Sequence, residues 1–310
     1  MLLRVFGIGS FNPYARLRIM LKLRGPPPAF IFIGPRCLFS EIRDTANTCR
    51  MDQQIINLFD EYTHKPLSRQ DFLNRLAKLT GGMTAALTTL SLLEVNYAHA
   101  ATVPEQDKDI ITEDIVYPGD GATMKAYLAK PKAAGRYGGV MVVHENRGLN
   151  PHIRDVARRV AKAGFLCLAP DALSPFEGTP ADEDKARDLF SRLDADKNLN
   201  NFLKGLEYLR ARPECNGNIG CVGFCWGGAM ANQLAVHAPD LKAAVAFYGR
   251  QPASEDASKI KARIQLHYGE MDERVNAGIP AYEEALKAAG VKYELYIYKG
   301  AQHAFHNDTA

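Results

Sequence analysis

The stretch Gly223-Phe224-Cys225-Trp226-Gly227-Gly228 has residue types and spacing suited to chemistry. It carries the G-x-nucleophile-x-G pattern of a sharp strand-to-helix turn, with Cys where Ser is commonly found. An apolar run, Ile219 to Phe224, precedes it, and small residues (Gly228, Ala229, Ala231) open the helical stretch that follows. Glycine at 223 and 227 lets neighbouring backbone pass without Cβ clashes. The residue at the tip projects over a helix N-terminus, where the dipole and free N–H groups favour an anion. For a cysteine that setting favours thiolate, the reactive form. The same N–H groups can hold the oxyanion of a tetrahedral intermediate. The plain alternative is a structural turn with an incidental cysteine.

A nucleophile needs a base, and the base an orienting group. Downstream lies His267-Tyr268-Gly269-Glu270-Met271-Asp272, with Asp272 after an apolar run and a Gly loop. Then comes Gly300-Ala301-Gln302-His303-Ala304-Phe305, past the next apolar run. Either His303 or His306 can serve as the base. His303 is preferred, because its Gly-x-x-His loop comes directly off the strand; its plain reading is a surface loop histidine. Upstream, Glu145 follows the continuous apolar run Gly139 to His144. A carboxylate there is partly desolvated, which raises its pKa and suits it to accept a proton. A salt bridge to Arg147 or Arg154 is the structural alternative.

These groups need a scaffold. Ile110 to Tyr117 and Met124 to Lys130 read as strands joined by the turn cluster Pro118-Gly119-Asp120-Gly121. Gly139 to His144, Phe165 to Ala169, Ile219 to Phe224, Leu241 to Tyr248, Ile264 to Tyr268 and Tyr293 to Tyr298 read as further strands. Pro151 to Ala163, Asn200 to Arg210, Trp226 to His237 and Pro280 to Ala289 read as helices between them. Such alternation predicts an α/β fold: a mostly parallel central sheet with helices on both faces. Ligands then bind at the carboxyl ends of the strands. Glu145, Cys225, Asp272 and His303 all fall just past strand ends.

Composition narrows the function. Residues 1–50 carry eight Lys+Arg against two Asp+Glu, whereas residues 101–310 carry 26 against 28. The body is nearly neutral, which argues against nucleic acid as a partner. The six cysteines form no C-x-x-C pair and no zinc spacing. Cys167 and Cys221 lie in apolar runs and read as small buried hydrophobes. Residues 1–50 read as a non-native or disordered extension, with a transit peptide as an alternative. Residues 51–101 read as an export signal. Ser68-Arg69-Gln70-Asp71-Phe72-Leu73 precedes an apolar stretch and then Ala98-His99-Ala100 and Ala101. The order resembles a twin-arginine signal with Gln70 in place of the second Arg. The expectation is an exported, periplasmic protein with no stable membrane span, the alternatives being an amphipathic N-terminal helix and a cytoplasmic protein.

The body, residues 102–310, resembles the dienelactone hydrolase (carboxymethylenebutenolidase) family of α/β-hydrolases. The resemblance rests on Val142–Asn150 (VVHENRGLN), the GFCWGG turn, His267–Val275 (HYGEMDERV) and Gly300–Phe305 (GAQHAF), which occur in the family's order. It implies an α/β-hydrolase fold and a Cys225–His303–Asp272 triad. Glu145 would pair with the resting thiol and accept its proton when substrate arrives. The oxyanion hole would be the backbone N–H groups of Trp226 and Asn146. The implied reaction is hydrolysis of a carboxylate-bearing unsaturated lactone to maleylacetate through an acyl-enzyme, without metal or organic cofactor, in a monomer acting on a small molecule. Such a substrate calls for a cation, for which Arg147, Arg187 and Arg250 are candidates; Tyr248 and Trp226 are candidate pocket walls. The family's final helix is expected to be lacking after Ala310. The competing readings are a non-catalytic binding module of the same fold and a thiol redox protein.

Overall fold

The computed structural model describes residues 54–55, 58, 61–62, 67–93 and 102–307. The chain divides into two compact units between Leu90 and Ser91. The expected extension over residues 1–50, the cleavage signal Ala98-His99-Ala100 and the expected end at Ala310 lie outside the described residues.

In the N-terminal unit, α1 (Arg69–Thr80) starts at Ser68, whose Oγ accepts the Asp71 N–H at 3.1 Å. It stops at Gly81, whose φ of 83° is a left-handed conformation that glycine adopts at no cost. Phe72 and Leu76, four residues apart, bury one face of α1. They join Leu58, Tyr62 and, from α2 (Met83–Leu93), Ala86 and Leu90 in a small apolar cluster. Among the described residues, no helix is long and apolar enough to cross a membrane.

The larger unit runs β1 (Ile110–Pro118), β2 (Thr123–Pro131), β3 (Tyr137–Val143), α3 (Pro151–Lys162), β4 (Leu166–Pro170), α4 (Glu183–Phe190), α5 (Ala195–Ala211), β5 (Cys215–Phe224), α6 (Trp226–His237), β6 (Ala243–Phe247), β7 (Arg263–Gly269), α7 (Glu273–Asn276), α8 (Ile279–Ala288) and β8 (Tyr293–Tyr298). The strands form one sheet in the order β1-β2-β4-β3-β5-β6-β7-β8. Only β2 opposes its neighbours, because a tight turn joins it to β1; the helical crossovers make all other pairs parallel. Alternate residues of each strand feed opposite cores. Met141, Cys221, Ala244 and Leu266 face α5, α6 and α8, whereas Val140, Val142, Val222 and Val245 face α3.

This topology positions the site. The strand order reverses at β3, which has β4 on one side and β5 on the other, so a crevice opens past its carboxyl end. Val143 pairs with Gly223, and Phe224 with Phe247. Glu145 and Cys225 therefore each stand two residues beyond a paired position, with Tyr248 beside them.

Some elements escape the sequence pattern. The short α4 and α7 are missed because five charges in eight residues of α4, and two in the four of α7, leave no readable apolar stripe. Helix α5 begins at Ala195 rather than Asn200, because Asp194 caps it by accepting the Asp196 and Lys197 N–H groups. Strand β5 begins at Cys215, ahead of the polar Asn-Gly-Asn run, and its register with β3 is irregular there.

The start of α6 lies in backbone contact with the end of β3. A Cβ added at Gly227 would stand 2.3 Å from Val143 O and 2.4 Å from His144 O. Gly227→Ala should therefore cost about 3 kcal/mol of stability, read as a lower urea midpoint. An unchanged midpoint would show that the turn has slack.

Candidate active site

Cys225 sits at the tip of the β5–α6 turn with φ 54° and ψ −114°. A non-glycine residue there costs about 1–3 kcal/mol and persists only when its surroundings enforce it. Here they do. The Cys225 N–H donates to Phe247 O at 3.0 Å, and Cys225 O accepts from the Ala229 N–H at 3.1 Å. A Cβ at Gly223 would lie 1.8 Å from Gly227 O, and one at Gly228 would lie 2.5 Å from Phe247 O. Only glycine lets strand and helix close this tightly.

The cysteines divide by environment. Cys167 and Cys221 are fully enclosed, as their apolar runs predict. Burial pushes the Cys221 thiol up to about 12 and Cys167 higher still. Cys225 keeps 9 % of its surface exposed at the strand ends.

The acid and base loops are sewn together before they reach the site. The Glu270 N–H donates to Tyr298 O at 3.0 Å, the Met271 N–H to Ala301 O at 3.0 Å, and the Gly300 N–H to Glu270 Oε2 at 2.8 Å. Gly269 allows the contact, since a Cβ there would be 2.6 Å from both Ala301 O and Gln302 O. Asp272 is buried and caps α7 through its Oδ1, which accepts the Val275 N–H at 3.3 Å. Its Oδ2 hydrogen-bonds His303 Nδ1. Of the two histidines left open by sequence, His303 thus meets the acid. His306 instead stacks on Phe224, with centroids 4.6 Å apart, and packs tilted against Phe247 at 4.7 Å.

Tyr248 links the parts. Its ring centroid lies 4.9 Å from that of His303. Its hydroxyl donates to Glu145 Oε1 at 3.1 Å. Asn307 Nδ2 donates to Glu145 Oε2 at 3.1 Å. The arginines weighed as Glu145 partners are engaged elsewhere: Arg147 with Glu183 at 3.3 Å, and Arg154 with Asp114 at 2.8 Å. Tyr248 therefore contacts the carboxylate rather than merely lining a wall. Asn307 was missed, because a lone polar residue near a chain end carries no spacing signal.

The remaining candidates scatter. Arg187 pairs with Asp184 at 3.5 Å. Arg250 is exposed and lines a cavity of about 390 Å³ with Ala229, Gln233, Gln251, Pro252 and Ala253, beginning one helical turn past Cys225. The Trp226 ring packs against Phe190 and Phe202 at 5.1 and 5.9 Å, so its side chain is core while its N–H opens α6. Asn146 lies in the turn closed by the Gly148 N–H on Glu145 O at 3.4 Å. Among the described residues, no group of three His, Cys, Asp or Glu is placed to hold a metal ion.

A cysteine after β5, an aspartate after β7 and a histidine after β8, on this strand order, give the larger unit an α/β-hydrolase fold. The chain belongs to the dienelactone hydrolase family, whose sequence profile matches residues 124–310. It is 34 % identical over 226 residues to an Escherichia coli K12 protein named "Putative carboxymethylenebutenolidase", covering 67 % of this chain and 83 % of that one. It is 50 % identical over 112 residues to "Putative hydrolase fragment YghX" of the same organism, covering 35 % of this chain and 96 % of that one. A crystal structure described as a "Putative Dienelactone Hydrolase" from Klebsiella pneumoniae superposes with a TM-score of 0.58 at 32 % identity, covering 64 % of this chain and 89 % of that one. The protein is accordingly a hydrolase of the ester and lactone class.

The buried His267 and the half-buried His306 make stability depend on pH. Burial pushes His267 down to about 3, against the opposing pull of Glu294. Burial, aided by the nearby charges of His152, Arg159 and His267, pushes His306 down to about 3. Near their ordinary value of 6.5 the unfolded chain takes up protons that the folded one refuses. Stability is then full above about pH 6.5 and is lost as pH falls toward 3. Urea midpoints at pH 7.5 and 4.5 should show that drop, and His306→Phe should shrink it. An equal drop in the variant would remove His306 as a cause.

Proposed function

We propose that this protein hydrolyses an ester or lactone by thiol acylation, with Cys225 as nucleophile, His303 as base and Asp272 as its orienting group. The observation that carries this reading is the Cys225 backbone. A strained φ of 54° is enforced by backbone contacts on both sides, at a residue buried but for 9 % of its surface. Cys225 is also the residue that opens α6, and the first turn of a helix leaves N–H groups that stabilise negative charge.

The chemistry follows from the contacts. Asp272 holds Nδ1 of His303, which leaves Nε2 for proton transfer. In line with the family resemblance, Glu145 takes the thiol proton when substrate enters. The thiolate attacks the carbonyl carbon, and the carbonyl π pair moves to oxygen. The Trp226 and Asn146 N–H groups receive that oxyanion. Collapse breaks the C–O bond, and the leaving alkoxide takes the proton that Glu145 accepted from the thiol, passed on through His303. Water, deprotonated by His303, then attacks the thioester and releases the acid and the free thiol. An unsaturated lactone of the carboxymethylenebutenolide type, opening to maleylacetate, is the substrate that the family points to. The reading includes export, with a mature chain starting at Ala101 on N-terminal sequencing; recovery of chains that retain Ser68 would count against it.

A chromogenic ester and dienelactone should each give a burst of product equal to the enzyme present. Cys225→Ala should abolish it, and His303→Ala should slow acylation about 10²–10⁴-fold. A burst that survives in Cys225→Ala would sink the reading. The faster substrate separates a general esterase from a lactonase.

A further inference from the structure

His144 ends the apolar run of β3, and nothing in its sequence position marks it as more than a core residue. It is fully buried, yet both ring nitrogens are engaged. The Ala172 N–H donates to its Nε2 at 3.1 Å. A backbone N–H can only donate, so Nε2 carries no proton and the ring is the Nδ1–H tautomer. Nδ1 lies 2.6 Å from Glu145 O and donates to it. Burial lowers the pKa of His144, with Asp171 pulling the other way, so the ring stays neutral in this role.

The bond to Glu145 O reaches further than its own length. The peptide unit joining Glu145 to Asn146 is planar and trans, so its C=O and N–H point in opposite directions. Fixing the carbonyl on His144 therefore aims the Asn146 N–H the opposite way. The same imidazole lies parallel to the Trp226 ring, with centroids 5.6 Å apart and planes 17° apart. One buried side chain thus bonds the carbonyl of the peptide that carries the Asn146 N–H and lies beside the ring of Trp226, the other residue whose N–H is proposed to receive the oxyanion. The far end of the loop is tied to the segment that holds Ala172. The Leu149 N–H donates to Thr179 Oγ1 at 2.8 Å, and Thr179 Oγ1 donates to Asp171 Oδ1 at 2.8 Å. With its ends pinned, the loop's remaining freedom is rotation of the peptide planes between them, and the His144 bond at 2.6 Å, shorter than the 3.4 Å bond from the Gly148 N–H to the same carbonyl, is the stronger restraint on the plane that matters.

We propose that His144 is a positioning residue that sets the oxyanion hole by orienting the Glu145–Asn146 peptide and bracing Trp226. The proposal rests on the acylation reading above. It distinguishes the interaction made in the transition state from that made with bound substrate. Loss of an oxyanion donor lowers kcat about 10²–10³-fold and leaves ground-state binding nearly intact.

The test compares wild type with His144→Phe and His144→Gln on a chromogenic ester. Phenylalanine keeps the stack on Trp226 and loses both hydrogen bonds; glutamine offers one donor and one acceptor. His144→Phe should lose kcat about 10²-fold with KM changed less than about threefold. His144→Gln should recover most of that loss. The fluorescence of Trp226, the chain's one tryptophan, reports whether each variant is folded. Nitrogen-15 NMR of wild-type imidazole should show the proton on Nδ1, and the Asn146 amide resonance should move in His144→Phe. These spectra need no turnover, so they decide the geometry even if no ester is cleaved and the acylation reading fails. A proton on Nε2, an unmoved Asn146 amide, wild-type kcat in a folded His144→Phe, or equal losses in the two variants would each overturn the proposal.

Discussion

Helix α6 starts with no space for a side chain at Gly223, Gly227 or Gly228, where it meets the ends of β5, β3 and β6, and the rest of the site depends on those contacts. Because the backbones touch there, the chain must reverse within one residue, and Cys225 takes up the strain with its φ of 54°. The cost is local, and the adjoining cores supply the stability that offsets it. In return Cys225 stands at the N-terminus of α6, where a helix leaves backbone N–H groups without helical partners. A side chain on a relaxed turn would point along the surface and lose that setting.

The other groups reach this point through the sheet rather than through local sequence. Strands β3, β5, β6 and β7 lie side by side, so the loops after them open onto one crevice. The loops after β7 and β8 carry their own cross-links, which bring Asp272 and His303 together. Tyr248 then ties this half to the Glu145 half, because its ring faces His303 and its hydroxyl holds the carboxylate. Each of these side chains is thus held by backbone or buried contacts, which spares the site the entropy of ordering mobile side chains.

Chemistry is partitioned among like residues by burial. Cys167 and Cys221 are shut in apolar surroundings that hold their thiols protonated. Cys221, four residues before Cys225, thereby supplies no thiolate to resolve an oxidised Cys225, and the geometry offers little to a redox role. His267 and His306 are likewise held neutral in aromatic stacks, whereas His303 is paired with a carboxylate. Identity alone does not separate these histidines; their neighbours do.

Much of this was legible beforehand, for a physical reason. Apolar runs and glycine-spaced turns are local, so the alternation of strands and helices, the turn at Cys225 and the chain order Cys225, Asp272, His303 could be read from spacing. Elements rich in charge, such as α4 and α7, left no stripe to read, and the caps that start them act through only one or two hydrogen bonds. The choice between His303 and His306 turned on which ring meets Asp272. The partners of Glu145 turned on Tyr248 and Asn307, which lie 103 and 162 residues away along the chain. By itself the sequence determined which groups stand at strand ends and in what order. Only the tertiary structure decided which of them touch, because contacts between distant loops follow from sheet order and close backbone packing, which local patterns do not encode.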